Sequence, residues 1–142
     1  MKFDYVPPSV CDLGRSNTAA NEDYTQAFLC HASLYVMGDK YDVEPLRKLA
    51  LYKLFVTLHS FTLYREGVGD IVELAQYAYD HTRDSEDEEL RMLVTHYMAG
   101  KLETFSQDSR FHAILREPGS LAKDLVCILS QKAVPEFYWQ TP

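Results

Sequence analysis

The chain has little punctuation. Six glycines and six prolines are spread through 142 residues, and most fall between apolar-periodic segments. So few breakers argue for long helices and against the many short strands of a sandwich or barrel. Cysteine is scarce too. Cys11, Cys30 and Cys127 are an odd number at wide spacings. They predict reduced thiols in an intracellular protein, cytoplasmic or nuclear, and no disulfide framework. Basic charge is in deficit: 14 Lys and Arg stand against 21 Asp and Glu, for a formal net charge of −7. Nucleic-acid binding needs clustered cations to neutralise phosphates, and an anionic membrane surface asks for the same. Neither partner is expected. No run approaches the ~18 apolar residues of a membrane span. Met1 to Pro8 holds Lys2 but no apolar core, so no signal peptide is expected.

What is present suits a globular domain. Hydrophobic residues make up 46% and charged residues 25%, enough for one domain burying roughly two thirds of its unfolded surface. The expected organisation is an irregular arm over 1–20, a helical domain over 21–132 and an aromatic, non-helical tail over 133–142. Pro7-Pro8 and the Gly14–Thr18 run carry no period, which makes the arm.

Helical spacing recurs through the middle. A first helix is predicted over 21–38, capped by Asn21 and stopped at Gly38-Asp39. Its stripe is Ala27, Cys30, Leu34, Met37 and Tyr41, broadened by Phe28 and Tyr35. A second helix is predicted to follow Asp42 as N-cap, with Pro45 in its first turn, and to end near Leu58. From Leu46 to Leu58 it is apolar nearly all round, so it is expected to be central, with Leu49 and Leu54 buried. A third helix is expected over 70–82, started by Asp70, on a stripe of Val68, Ile71, Val72, Ala75, Ala78 and Tyr79. The acidic run Arg83–Glu89 reads as a solvated loop and helix start. A fourth helix is expected over 87–105, a short one over 109–116, and a last one from Ser120 to about Lys132. No segment alternates strictly, so the fold class is all-α, an irregular bundle of about five to six helices.

Motifs for chemistry are missing. There is no phosphate loop, and Gly67-Val68-Gly69 reads as a helix start. No nucleophile elbow surrounds a serine. Cys30 and His31 are adjacent, and neighbours on a helix point apart, so they make no zinc pair. His31, His59, His81, His96 and His112 contain no i, i+4 pair and read as surface or helix-end residues. Glu86, Asp87, Glu88 and Glu89 lack the glycine turn of a calcium loop. Accordingly no catalytic, metal or cofactor-binding residues are expected, and no cofactor. The alternative is a small helical enzyme or ligand-binding bundle, whose mark would be a buried polar site.

One stretch carries a resemblance. His31–Ala50 reads HASLYVMGDKYDVEPLRKLA, with Asp39-Lys40-Tyr41-Asp42 closing one helix and Leu46-x-x-Leu49-Ala50 opening the next. It resembles the second half of BTB/POZ domains of the fungal type, with Gly38 where that family usually has Ala. Downstream, Tyr79-Asp80-His81-Thr82 followed by Leu90-Arg91 is similar to the helical extension that follows such domains. The likeness covers about residues 24–130, while the family's strand-rich first half has no counterpart. It implies a non-catalytic adaptor or scaffold that presents a surface to other proteins. Its partners would be a cullin scaffold of a ubiquitin ligase, or transcription and chromatin factors.

With that half absent, the helices over 21–38 and 43–58 are expected to cover their apolar surface by self-association, most simply as a two-fold dimer. The expected contact residues are Phe28, Tyr35, Tyr52, Phe55, Phe61, Phe137, Tyr138 and Trp139.

Overall fold

A computed structural model describes residues 24–85, 87–117 and 119–140, with side chains as far as 131. The expected arm over 1–20 and the Asn21 cap lie outside the described residues. The described chain is all-α. Seven helices follow in order: α1 (Thr25–Lys40), α2 (Glu44–Ser60), α3 (Val68–His81), α4 (Glu89–Gly100), α5 (Leu102–Phe105), α6 (Ser109–Arg116) and α7 (Leu121–Gln140). A 3₁₀ turn over Arg65–Gly67 leads into α3.

The centre is α3 rather than α2. α3 packs against α1, α4 and α6, whereas α2 packs chiefly on α1 and touches α4 more lightly. Val68, Ile71, Leu74, Ala75 and Ala78 of α3 are all fully buried, because their spacing makes one clean stripe. Asp70 does not start this helix. It is buried within the first turn, where its carboxylate accepts from the Tyr24 N–H and the Thr25 hydroxyl, each at 2.9 Å. An acid at the start of one helix thus caps the start of another, satisfying amides that no helix bond can reach.

The face of α1 turned to the core is rotated from the expected stripe. Ala27, Phe28, His31, Ala32 and Tyr35 are buried, while Met37 and Tyr41 are 49% and 65% exposed. α1 is apolar on several faces, so its periodicity alone does not choose between them. Tyr24, Phe28 and Phe61 form an aromatic cluster, with Phe28 and Phe61 edge to face at 5.1 Å.

Other boundaries also move. α1 runs past Gly38 to Lys40. The left-handed residue that ends it is Asp42, at φ 56°, with Val43 N–H bonded to Gly38 C=O and Asp42 N–H to Asp39 C=O. That is a Schellman turn with aspartate in the seat glycine usually takes. Asp42 is therefore the C-terminal stop of α1, and Val43 is the N-cap of α2. The expected fourth helix breaks at Lys101 into α4 and α5. α7 continues through Pro135 to Gln140, so the described part of the segment expected as a non-helical tail, 133–140, is helical. A proline removes one helix hydrogen bond and need not end the helix. The helix over 109–116 stands as expected, with Asp108 capping it through the Arg110 N–H.

Candidate functional site

Two polar networks tie helix ends together, the first joining α1 and α2 to the start of α4 and the second closing the corner between α3 and α4. At the first, the Tyr35 hydroxyl donates to Glu88 at 2.5 Å. Arg47 donates to Glu44, to Glu89 and, at 3.3 Å, to the Tyr35 oxygen. Burial, then the bond to Glu88, pushes the Tyr35 phenol well above its ordinary range. Glu88 is only 6% exposed, so the acidic run is not solvated throughout. Its charge sits where Tyr35 reaches it. Glu86 lies outside the described residues.

At the second corner Arg91 is the centre. Its guanidinium donates to the carbonyls of Tyr79 and Thr82, to the Thr82 hydroxyl and to Asp84. It also lies 4.3 Å from the Tyr79 ring centroid. These carbonyls are the unpaired ones at the end of α3, and a cation there meets the negative end of the helix. The Ser120 hydroxyl donates to Asp84, and the Tyr79 hydroxyl donates to Asp124, which ties the start of α7 to the same corner. Both networks spend their groups on structure. Four of the five Arg91 N–H donors go to these acceptors, and the side chain forms part of the wall of an adjacent polar groove with Asp80, Asp84 and Glu117.

The remaining buried polar side chain of interest is His31. It is 1% exposed and neither ring nitrogen has a hydrogen-bond partner. The sequence expectation of a surface or helix-end histidine is therefore corrected at His31. Burial, with Lys53 adding repulsion, pushes its pKa down to about 4, so the ring is neutral at pH 7. It lines none of the described grooves. His59, His81, His96 and His112 are exposed, and each donates a ring N–H to a backbone carbonyl. Among the described residues no three His, Cys, Asp or Glu side chains converge to hold a metal.

What the surface does offer is apolar. The outer side of α2 presents Leu49, Tyr52 and Phe55, exposed by 51%, 56% and 42%. They lie opposite the buried Ala50, Leu54, Thr57 and Leu58, as three-residue steps on a helix require. Leu49 is thus a surface residue, contrary to the sequence expectation, and α2 is not buried on most faces. Phe55 is also the edge of a groove of about 400 Å³ between α2 and α4, with Leu58, Phe61, Leu93 and Tyr97 among its walls. His59, His96 and Lys101 complete its rim. Burial pushes the Tyr97 phenol up to about 12, so it stays neutral.

The eight expected contact residues divide. Tyr52 and Phe55 lie on this surface. Phe28, Tyr35 and Phe61 are 0%, 2% and 5% exposed. They are core residues of the single chain, already covered on folding, and of the three only Phe61 still reaches a described groove, as a wall of the one between α2 and α4. Phe137, Tyr138 and Trp139 fall where side chains are outside the described residues. Leu93, His96, Tyr97 and Lys101 were not anticipated. The one signal that could have pointed there was an all-round apolar helix needing more neighbours than the bundle has.

The chain matches no protein-family model, no curated protein and no solved structure. No helix among the described residues is long and apolar enough to cross a membrane.

Proposed function

We propose that this chain is a protein–protein interaction module, an adaptor or scaffold without catalysis of its own. The observation that carries the reading is the outer face of α2, where Leu49, Tyr52 and Phe55 stand exposed and lead into the apolar groove against α4. Large apolar side chains gathered on one face, rather than scattered, mark interaction sites. The resemblance to BTB/POZ proteins supports the same reading. Its motifs, Asp39–Asp42 and Tyr79–Thr82 with Arg91, are the residues that close the two helix corners. On that resemblance the chain serves a cullin ubiquitin ligase or a transcription or chromatin complex, in the cytoplasm or nucleus.

The test is affinity capture from a native extract with the wild-type chain and with the Tyr52→Glu/Phe55→Glu variant, both shown to be helical by circular dichroism. Proteins retained by the wild type and lost by the variant are expected. Identical capture by both would overturn the reading. A second reading, a two-fold dimer through the same face, is supported by the exposure of Tyr52 and Phe55 on it. Light scattering across micromolar concentrations checks it, the variant remaining a 16.4 kDa monomer.

A further inference from the structure

The groove between α2 and α4 differs from the others in charge. The polar groove at Arg91 is lined by Asp80, Asp84 and Glu117, the one between α4 and α7 by Glu88 and Asp124 with Arg91 and Lys123, and the one beside α1 by Asp39 and Asp80 with Lys40 and Arg83. The α2–α4 groove has no carboxylate among its lining residues and carries Lys101. Its walls explain this. Between Glu44 and Glu66 the sequence has no Asp or Glu, and between Glu89 and Glu103 it has none either. Those stretches contain all of α2 and α4 except their first residues, Glu44 and Glu89. Lys48 is exposed beside Leu49, while Lys53 lies near enough to the buried His31 of α1 to disfavour its charged form. A chain with net charge −7 has thus kept carboxylates off the lining of this apolar groove.

From this geometry, and resting on the reading as an interaction module, we propose that the α2–α4 groove docks an acidic amphipathic helix of another protein. The apolar stripe of that helix seats against Phe55 and Leu93, and its carboxylates meet Lys101. A helix is the form that fits. No strand occurs among the described residues, so there is no sheet edge to extend, whereas a cleft between two helices accepts a third. The acidic character follows from complementarity: a basic helix would gain nothing from Lys101, and an acidic one gains both orientation and encounter rate.

The experiment is selection by the full chain from a display library of helix-forming peptides of about 18 residues, five turns at 3.6 residues each. The apolar stripe is fixed and the flanking positions are random. Selected peptides are expected to be enriched in Asp and Glu beside the stripe. Their binding should fall by about tenfold or more in Phe55→Ala, as for a central aromatic anchor. In Lys101→Glu it should fall by roughly fivefold, as for one exposed charge pair reversed. Lys101 is exposed, so this variant tests the groove even if Phe55→Ala loses structure. Enrichment of neutral or basic peptides overturns the acidic assignment while leaving the module reading to the extract capture. Acidic peptides indifferent to both substitutions overturn the groove. Self-association abolished by Phe55→Ala, with no peptide selected, gives the groove to a second copy and overturns the proposal.

Discussion

The α1–α2 pair and the α3–α4 pair each turn a corner between two helices, and they do it by opposite means. The first corner is closed by backbone. Gly38 lies against α2 so closely that a Cβ there would stand 2.7 Å from the Arg47 backbone nitrogen, and the turn needs Asp42 at positive φ. The second corner is closed by one side chain, Arg91, which gathers the loose carbonyls of α3. The outer surfaces differ as well. α3 has neighbours on several sides, whereas α2 has α1 on one side and an apolar face beyond. The lesson is that similar hydropathy in two helices does not mean similar burial. The number of neighbours decides, and where neighbours run out an apolar face becomes available for a partner.

The largest expected effect breaks the second corner. Arg91→Met keeps the apolar length but abandons two helix-end carbonyls in a part-buried site, while the Thr82 hydroxyl keeps only its bond to the Ala78 carbonyl. The loss should be about 3–5 kcal/mol by chemical denaturation. Arg91→Lys should recover little, since one ammonium cannot span these acceptors. A variant within about 1 kcal/mol of wild type would show that the corner is held by something else.

Next comes the two-sidedness of α2. Leu54 is fully buried and Leu49 half exposed. Leu54→Ala should cost about 2–5 kcal/mol, and Leu49→Ala less than about 1 kcal/mol. Equal losses would mean that α2 is covered on both faces.

These contrasts show what could be read from the residues. α3 and α6 were legible because their stripes are clean: Ile71, Ala75 and Ala78, or Phe111 and Ile114, face one way under any reading of the period. The all-α class followed for the same reason. α1 and α2 were legible as helices but not in orientation, since apolar residues surround them and Met37, Cys30 and Phe28 compete for the core. Tyr52 and Phe55 could be picked as contact residues because aromatics on such a helix must go somewhere. The far wall of the groove, Leu93 to Lys101, could not, because only the packing of α2 on α4 brings it there. Glu88 looked like one more solvated acid, and nothing local says that Tyr35 would reach it.

His31 sharpens the comparison from inside the first pair. Its pKa is lowered from 6.5 to about 4 in the fold. Between those values the unfolded chain binds more protons than the folded one, so stability falls as pH drops below about 6.5 and the loss is complete below about 4. The whole loss is on the order of 3 kcal/mol. His31→Leu removes this contribution. The wild-type-minus-variant stability difference should therefore slope across that window and be flat above it, as read from urea denaturation at a series of pH values. A flat difference throughout would show that the ring is accessible to water in the fold. Gly38→Ala follows, at about 1–3 kcal/mol, because backbone rather than a flexible side chain would have to move away from the new methyl group. A melting temperature equal to wild type would place α1 and α2 farther apart.

The smallest effect lies at Asp42, where the first corner depends on a left-handed residue. Aspartate tolerates φ near 56° better than most residues, yet glycine takes it without steric penalty. The carboxylate also stands between the negative end of α1 and the positive end of α2, so the attraction of α2, about 0.3–1 kcal/mol, is partly offset by α1. Asp42→Gly removes the strain and that attraction together, so its net gain should be no more than about 1 kcal/mol. Asp42→Ala loses the attraction and adds the full strain of a Cβ in the left-handed region. It should fall below Asp42→Gly by about 1–2 kcal/mol. The ordering glycine above alanine, read from denaturation midpoints, is the decisive point. Equal midpoints would mean that the corner is not closed through a left-handed residue. The second corner provides the control, for Thr82 and Arg83 have no such backbone demand, and Arg83→Gly there should bring no gain.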